Sequence, residues 1–398
     1  MKTKFYSMLT AALLLATLFT GCSKEDGEER PSSNDQSVLV KLDLRNGTKS
    51  RAVAAPTTSE SKELIFESGH IFFTAAAGAI TKYYEILPDG DASTDLANGK
   101  VTISDLTNGF EMTDIPSNST RVYMIGNIPG SLEIPTTGNI SVVQELAIAV
   151  GTQNHSNGST KVSMYGIGAI MDSTNPEHVG DVRKKEAALN VEVIAGRLEM
   201  NKLTCSDNID SYNVEAVYIN CYYPEITLGG SADPLTFVNN EEKLANYPAA
   251  VSGSETPYDG LNLHDWHVVP FQSVTKEVVP ATGKAWVYNL LAPTKKMGGN
   301  TDNFARPHII VRLNNIKLTS DDAPKDTYDE PMYLTMRLKD QETGSEIASF
   351  DPGKIYQIEN VEFDETNLYD TPEKSTIDVS VTVTVVDWEL VSTGVILN

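Results

Sequence analysis

The chain has 398 residues, a formal net charge of −23 and 40% hydrophobic residues. That length allows two domains beyond a targeting segment, and the apolar content supports a folded core. The acidic balance excludes nucleic acid as a partner, because phosphates demand a basic face, and it suits a protein kept soluble at an exposed surface.

The amino terminus reads as an export signal. Lys2 and Lys4 form a positive region, and the apolar run from Met8 to Thr20 is too short to stay in a bilayer as a spanning helix. Gly21-Cys22 closes that run in the manner of a bacterial lipobox, a resemblance that implies lipid (palmitate) on Cys22 and a signal peptide over 1–21. The following "SKEDGEE" resembles the acidic tag that sends Bacteroidetes lipoproteins to the outer face of the outer membrane.

Residues 23–37 are polar and charged, as in a solvated tether. In "VLVKLDL" the apolar Val38, Val40, Leu42 and Leu44 alternate with polar residues, so a strand with one buried face is expected, closed by the Asn46-Gly47 turn signal. "TKSRAVAAPTTSES" then has small and polar residues with no strand pattern, which suits an exposed, protease-accessible stretch.

From Glu63 onward short β runs alternate with turn clusters, and the spacing in Ser141–Val150 predicts a helix. The charged stretch "NPEHVGDVRKKEAA" suggests a domain boundary, giving a first domain over 52–186 and a second over 187–398. Many short strands with little helix point to an all-β chain of two β-sandwich domains in tandem. Cys205 and Cys221 lie on consecutive strand-like runs. If those runs form a hairpin, the two are too far apart for a bridge, which favours buried thiols.

The most regular strand pattern comes last. Ile377, Val379, Val381, Val383 and Val385 alternate with polar residues, and the phase then slips so that Val386, Trp388 and Leu390 carry the apolar set. Such a slip turns the buried face over unless a bulge absorbs it.

The motifs of catalysis are missing. The sequence has no G-x-S-x-G, H-E-x-x-H, P-loop or C-x-x-C, and "YGIGAIM" lacks the third glycine of a dinucleotide fingerprint. His264 and His267 in "HDWH" lack further zinc ligands nearby, and "DDAPKDTYDE" lacks the ladder of a calcium loop. No cofactor, metal or enzyme activity is expected.

The lipobox, "VLVKLDL" ahead of an arginine-containing polar stretch, "RVYMIGN", "VEVIAGRLEM" and the closing "VSVTVTVVDWELV" together resemble the fimbrillin family, the fimbrium subunits of Porphyromonas and Bacteroides type V pili. The resemblance implies transthyretin-like sandwiches, export as an outer-membrane lipoprotein and a final place in the surface fimbrium. It implies an arginine-specific protease that cuts between Arg51 and Ala52, removing a propeptide over 22–51 that contains the strand Val38–Leu44. It further implies polymerisation with identical subunits, in which a donor strand fills the gap. Here the donor would be the apolar set from Ile377 to Leu390. Accessory fimbrial subunits and a host or bacterial surface receptor are the other implied partners. The alternative is a non-polymerising surface lipoprotein that binds glycan or acts as fimbrial anchor or accessory subunit. Glycan binding would call for exposed aromatics, and the chain has 3 Trp.

Overall fold

The structure, a computed structural model, describes residues 35–43, 63–88, 94–154, 161–178, 180–206, 208–231, 261–262, 276–279, 286–293, 306–319, 327–328, 330–370, 379–387 and 389–392. Among these the chain is all-β apart from two short α-helices, α1 (Ile103–Asn108) and α2 (Ile140–Gln144), and brief 3-10 turns.

In chain order the strands begin with β1 (Asp35–Asp43), β2 (Glu63–Phe66), β3 (Gly69–Ala75), β4 (Ile80–Leu87), β5 (Lys100–Thr102) and β6 (Phe110–Pro116). They continue with β7 (Ser119–Gly126), β8 (Ala147–Ala149), β9 (Met164–Ala169), β10 (Met171–Asp172) and β11 (Lys184–Val193). Next are β12 (Ala195–Met200), β13 (Leu203–Cys205), β14 (Ile209–Asn220), β15 (Glu225–Thr227), β16 (Leu261–Asn262), β17 (Glu277–Val278) and β18 (Trp286–Leu291). The last are β19 (His308–Leu318), β20 (Thr327–Tyr328), β21 (Met332–Asp340), β22 (Lys354–Ile358), β23 (Val361–Phe363), β24 (Val379–Asp387) and β25 (Glu389–Ser392).

Two large sheets result. The first runs β5-β4-β3-β7-β9-β11-β1-β6, with β10 added to β11; the second runs β16-β14-β19-β21-β24-β22-β12-β18, with β20 added to β19. Three small sheets, β17-β13-β23, β15-β8 and β2-β25, complete the set.

Burial explains why the central strands read as apolar runs with little alternation. On β3, Ile71 and Phe73 point to one side and Phe72 to the other, and all three are fully buried; on β7, Val122 and Met124 oppose Tyr123 and Ile125 in the same way. Ile71, Phe73, Val122 and Met124 join Val38, Val40, Leu42, Leu189 and Val191 in the first core. Phe72, Tyr123 and Ile125 instead join Ile140, Val143 and Ile148 in a second core that also takes Leu198, Tyr212, Val217 and Ile309 from the second half. The two halves therefore share apolar contacts.

Polar groups fasten the same junction. β8 from the first half pairs antiparallel with β15 from the second. Buried Asn154 donates from Nδ2 to the Asn289 carbonyl (2.7 Å) and accepts from the Asn289 amide (2.7 Å), while Asn289 Nδ2 donates to the Gln153 carbonyl (2.9 Å). Gln153 Nε2 in turn donates to Ser163 Oγ (3.0 Å). These bonds tie the buried amides of the two halves to one another.

Several details differ from the sequence reading. The expected helix over Ser141–Val150 ends at Gln144, because Ala147–Ala149 is drawn into the ladder with β15; Val142 is 50% exposed and contributes nothing to a buried face. The run "LNVEVIAGRLEM" is two strands in two sheets. β11 ends at Val193 in the first, and β12 starts at Ala195 in the second, so Lys184–Val193 lies on both sides of residues 186/187. Gly196 sits at the start of β12 where an added Cβ would stand 2.8 Å from the Asp351 carbonyl oxygen, a close approach that only glycine permits. The two cysteine-bearing runs do not form a hairpin: β12 pairs with β18 and β22, and β13, which carries Cys205, with β17 and β23, whereas β14 pairs with β16 and β19. Cys205 and Cys221 are nevertheless both buried thiols.

Candidate functional site: the first strand, its slot and the carboxyl-terminal strands

β1 is the first described strand, yet it lies inside a sheet. It pairs in parallel with β11, from Ser37↔Lys184 to Asp43↔Asn190, and antiparallel with β6, from Asp35↔Pro116 to Val40↔Phe110, with one bulge between Gln36 and Val38. The alternation in the sequence sets its orientation. Val38, Val40 and Leu42 are buried in the first core, whereas Leu39 is 38% exposed and Lys41 faces out.

Side chains reinforce the fit. Gln36 Nε2 donates to the carbonyls of Pro116 (3.3 Å) and Ser119 (3.1 Å), and the Ser37 amide donates to the Arg183 carbonyl (2.9 Å). On the outer face an ion pair between Lys184 of β11 and Glu111 of β6 straddles β1, because Lys184 stands opposite Ser37 and Glu111 opposite Leu39. Beneath β6, burial together with the Asp114 charge pushes Tyr84 up to about 12, so it stays a neutral hydroxyl that donates to the Thr113 carbonyl (3.2 Å).

Without β1, the facing edges of β11 and β6 would lose their ladders and a strand-shaped slot lined by apolar side chains would open. Filling it with Val38, Val40 and Leu42 contributes about 5–9 kcal/mol, at about 1.5–3 kcal/mol for each buried side chain.

At the other end of the chain, β24 sits inside the second sheet. It pairs in parallel with β21, Met336↔Val379 through Asp340↔Val383, and antiparallel with β22, Gln357↔Thr384 through Lys354↔Asp387. Val383 is fully buried. In this state Val379, Val381, Val383, Val385 and Val386 are therefore positions in the chain's own second sheet. The pairing with β22 continues in register across Val385-Val386, so the break between two segments falls after Asp387. β25, which contains Leu390, then pairs in parallel with β2, from Glu63↔Glu389 to Phe66↔Ser392. Helix α1 contacts both β1 and β25, so the tail strand and the first described strand share a neighbour.

Cys22, Leu44, Arg51, Ala52, His264, His267, Ile377 and Trp388 lie outside the described residues. Among the described residues no group of three or more His, Cys, Asp and Glu side chains could hold a metal ion.

The chain thus has a tandem β-sandwich fold whose first described strand is an internal member of a sheet, and its overall β-sandwich fold is similar to that of a fimbrilin. A fimbrilin from Porphyromonas gingivalis W83 is similar to this chain at 12% identity and a TM-score of 0.50, covering 89% of this chain and 98% of its own. A protein of Bacteroides eggerthii DSM 20697, provisionally assigned to cell adhesion, is similar at 12% identity and a TM-score of 0.51, over 92% of this chain and 100% of its own. No family model matches the sequence, and no curated protein matches it.

Proposed function

We propose that this chain is a structural subunit of a surface fimbrium, exported as a lipoprotein through Cys22, matured by cleavage after Arg51 and joined to identical subunits by donor-strand exchange. The observation that carries this reading is the internal position of β1 between β11 and β6. A strand at the start of the chain can be withdrawn after one cut, and the slot it leaves takes another strand in its place.

Which strand is given is part of the proposal as well. Because β24 belongs to the second sheet, the donor proposed is the chain from Glu389 to Asn398. In that tail Val391, Thr393, Val395 and Leu397 repeat the two-residue spacing of Val38, Val40, Leu42 and Leu44. A donor that runs along β2 and on into the slot would use both edges beside α1. Adhesion to a host or bacterial receptor and contacts with accessory and anchor subunits belong to the same reading.

The test is removal of Glu389 to Asn398 from the full chain. The truncated precursor should melt like the wild type, because β1 and β24 are intact, and should form no fibres after arginine-specific proteolysis. Fibres from the truncated protein would refute the assignment of the donor. Sequencing the amino terminus of surface material should read Ala52, and a start at lipidated Cys22 would instead favour the anchored, non-polymerising alternative.

A further inference from the structure

β2 has an unusual way of staying in place. Its only main-chain strand partner among the described residues is β25. A pair of four-residue strands cannot hold itself together in water, so something else must fix it, and side chains do so.

Phe66 is fully buried in the first core. Its ring occupies a slot made by a cross-strand pair of glycines, Gly69 of β3 and Gly126 of β7. A Cβ on Gly126 would lie 2.3 Å from Phe66 Cε2, and one on Gly69 would lie 3.2 Å from Phe66 Cζ. Gly126 cannot gain a side chain while the ring is there, and at Gly69 the Ile125 carbonyl oxygen, 2.3 Å from the Cβ position, excludes one as well.

Asn127 holds the main chain on either side of that ring. Its Nδ2 donates to the Ile65 carbonyl (2.6 Å) and its Oδ1 accepts from the Glu67 amide (3.0 Å), so the side-chain amide bonds β2 as a neighbouring strand's peptide group would. Asn127 is itself held by a bond from Nδ2 to the Val162 carbonyl (3.2 Å), by its amide on the Ser68 carbonyl (2.9 Å) and by Ser163 Oγ donating to its carbonyl (3.0 Å). Its backbone sits at φ 50°, in the left-handed region that asparagine tolerates better than most residues. Lys161 adds an ion pair to Glu67 at 2.6 Å.

None of these partners is on β1. We propose that the Gly69–Gly126 slot and the Asn127 amide form a seat that keeps β2 in place independently of β1, so that the edge receiving the strand Glu389–Ser392 survives loss of the first strand. Phe66 and Asn127 are then positioning residues for subunit joining: they separate the part of the amino terminus that leaves from the part that stays. The occupant of the preserved edge is the carboxyl-terminal strand, the chain's own here and a second copy's in an assembled fibre. That last step rests on the proposed fimbrial function, whereas the seat does not.

Hydrogen exchange on the full chain tests the seat without any assembly. Val40→Asp puts a carboxylate into the first core and loosens β1; Leu42→Ala is the milder substitute if Val40→Asp fails to fold. In either variant peptides from 35–43 should exchange fast, while 63–68 and 389–392 keep protection within about threefold of wild type. Adding Asn127→Ala should lower protection of 63–68 and 389–392 together by about tenfold, the effect of losing about one net hydrogen bond or slightly more. Gly126→Ala should do the same by expelling the Phe66 ring, and Phe66→Val in that background should restore part of the protection by removing the clash.

If 63–68 opens together with β1 when Asn127 is intact, the seat is overturned. Wild-type protection of 389–392 in Asn127→Ala would overturn its role in holding the tail edge. For the second copy, Ile65→Cys with Val391→Cys places two cysteines opposite each other in the β2–β25 ladder. Fibres of that variant should give a ladder of disulfide-linked chains on a non-reducing gel. Fibres with disulfides only inside single chains would overturn the second-copy step. An absence of fibres with normal exchange results would count against the fimbrial function and leave the seat standing.

Discussion

Leu42→Ala gives a quantitative check on the placement of β1. Leu42 is 3% exposed among the buried residues of the first core, and its neighbour Leu39 is 38% exposed on the outer face. Truncating a buried leucine costs the transfer energy of the lost atoms and the cavity left behind, about 2–5 kcal/mol in most cores. At the end of a strand the site can partly collapse, so about 2–3 kcal/mol is expected for Leu42→Ala in the full-length precursor. Leu39→Ala should cost about 0.5 kcal/mol or less, because an outward side chain meets mainly solvent. Equilibrium urea unfolding measures both. With an m value on the order of 3 kcal/mol/M, the midpoint should fall by roughly 1 M for Leu42→Ala and barely move for Leu39→Ala. Equal shifts would mean that β1 does not have the inward set Val38, Val40 and Leu42. A negligible shift for Leu42→Ala would mean that β1 adds nothing to the first core, and the slot argument would fall with it.

Three other outcomes follow from named contacts. Arg197 and Glu199 form a fully buried ion pair on β12 (Nε–Oε1 2.9 Å), with Gln357 Nε2 donating to Glu199 Oε2 (2.9 Å), so Glu199→Ala should destabilise by about 3–5 kcal/mol in thermal or urea unfolding. The double variant Arg197→Met/Glu199→Leu should recover most of that loss. Burial tends to raise the Glu346 carboxyl, but the Arg337 and Arg306 guanidiniums (3.0 and 2.8 Å) outweigh it and hold the group below its ordinary value. The resulting stability is present above the unfolded glutamate range and is lost as pH falls through the depressed folded value; the wild type and Glu346→Gln should therefore differ near neutral pH and converge in acid. Cys205 and Cys221 are buried thiols, so thiol titration should detect them in urea and find them protected in the native protein.

The alternating residues of β1 were readable because one face is buried and the other meets solvent: Val38, Val40 and Leu42 against Leu39 and Lys41. The all-β character was readable for the same reason. The junction was not. β3 and β7 are buried on both faces, which erases alternation, and the "LNVEVIAGRLEM" run hides a change of sheet at Ile194. The helical spacing of Val142, Leu146 and Val150 lost to a ladder formed with residues far along the chain, a tertiary override of local pattern. The seat of Phe66 left little trace, since two glycines and an asparagine in separate strands and turns become a site only after β3 and β7 pair. The phase slip at Val385-Val386 leaves the ladder with β22 unbroken, and the strand ends at Asp387.

The position of β24 has a mechanical consequence. It is bonded to β21 from Val379 to Val383 and to β22 from Thr384 to Asp387, and the chain leaves it through β25. A pull on the carboxyl terminus acts along the strand, so it loads both ladders in shear and must strain many hydrogen bonds at once. Peeling the same strand sideways would break them one at a time. A subunit tugged by its tail would therefore hold best when the force runs along β24, and would give way sooner when that strand is lifted across its neighbours.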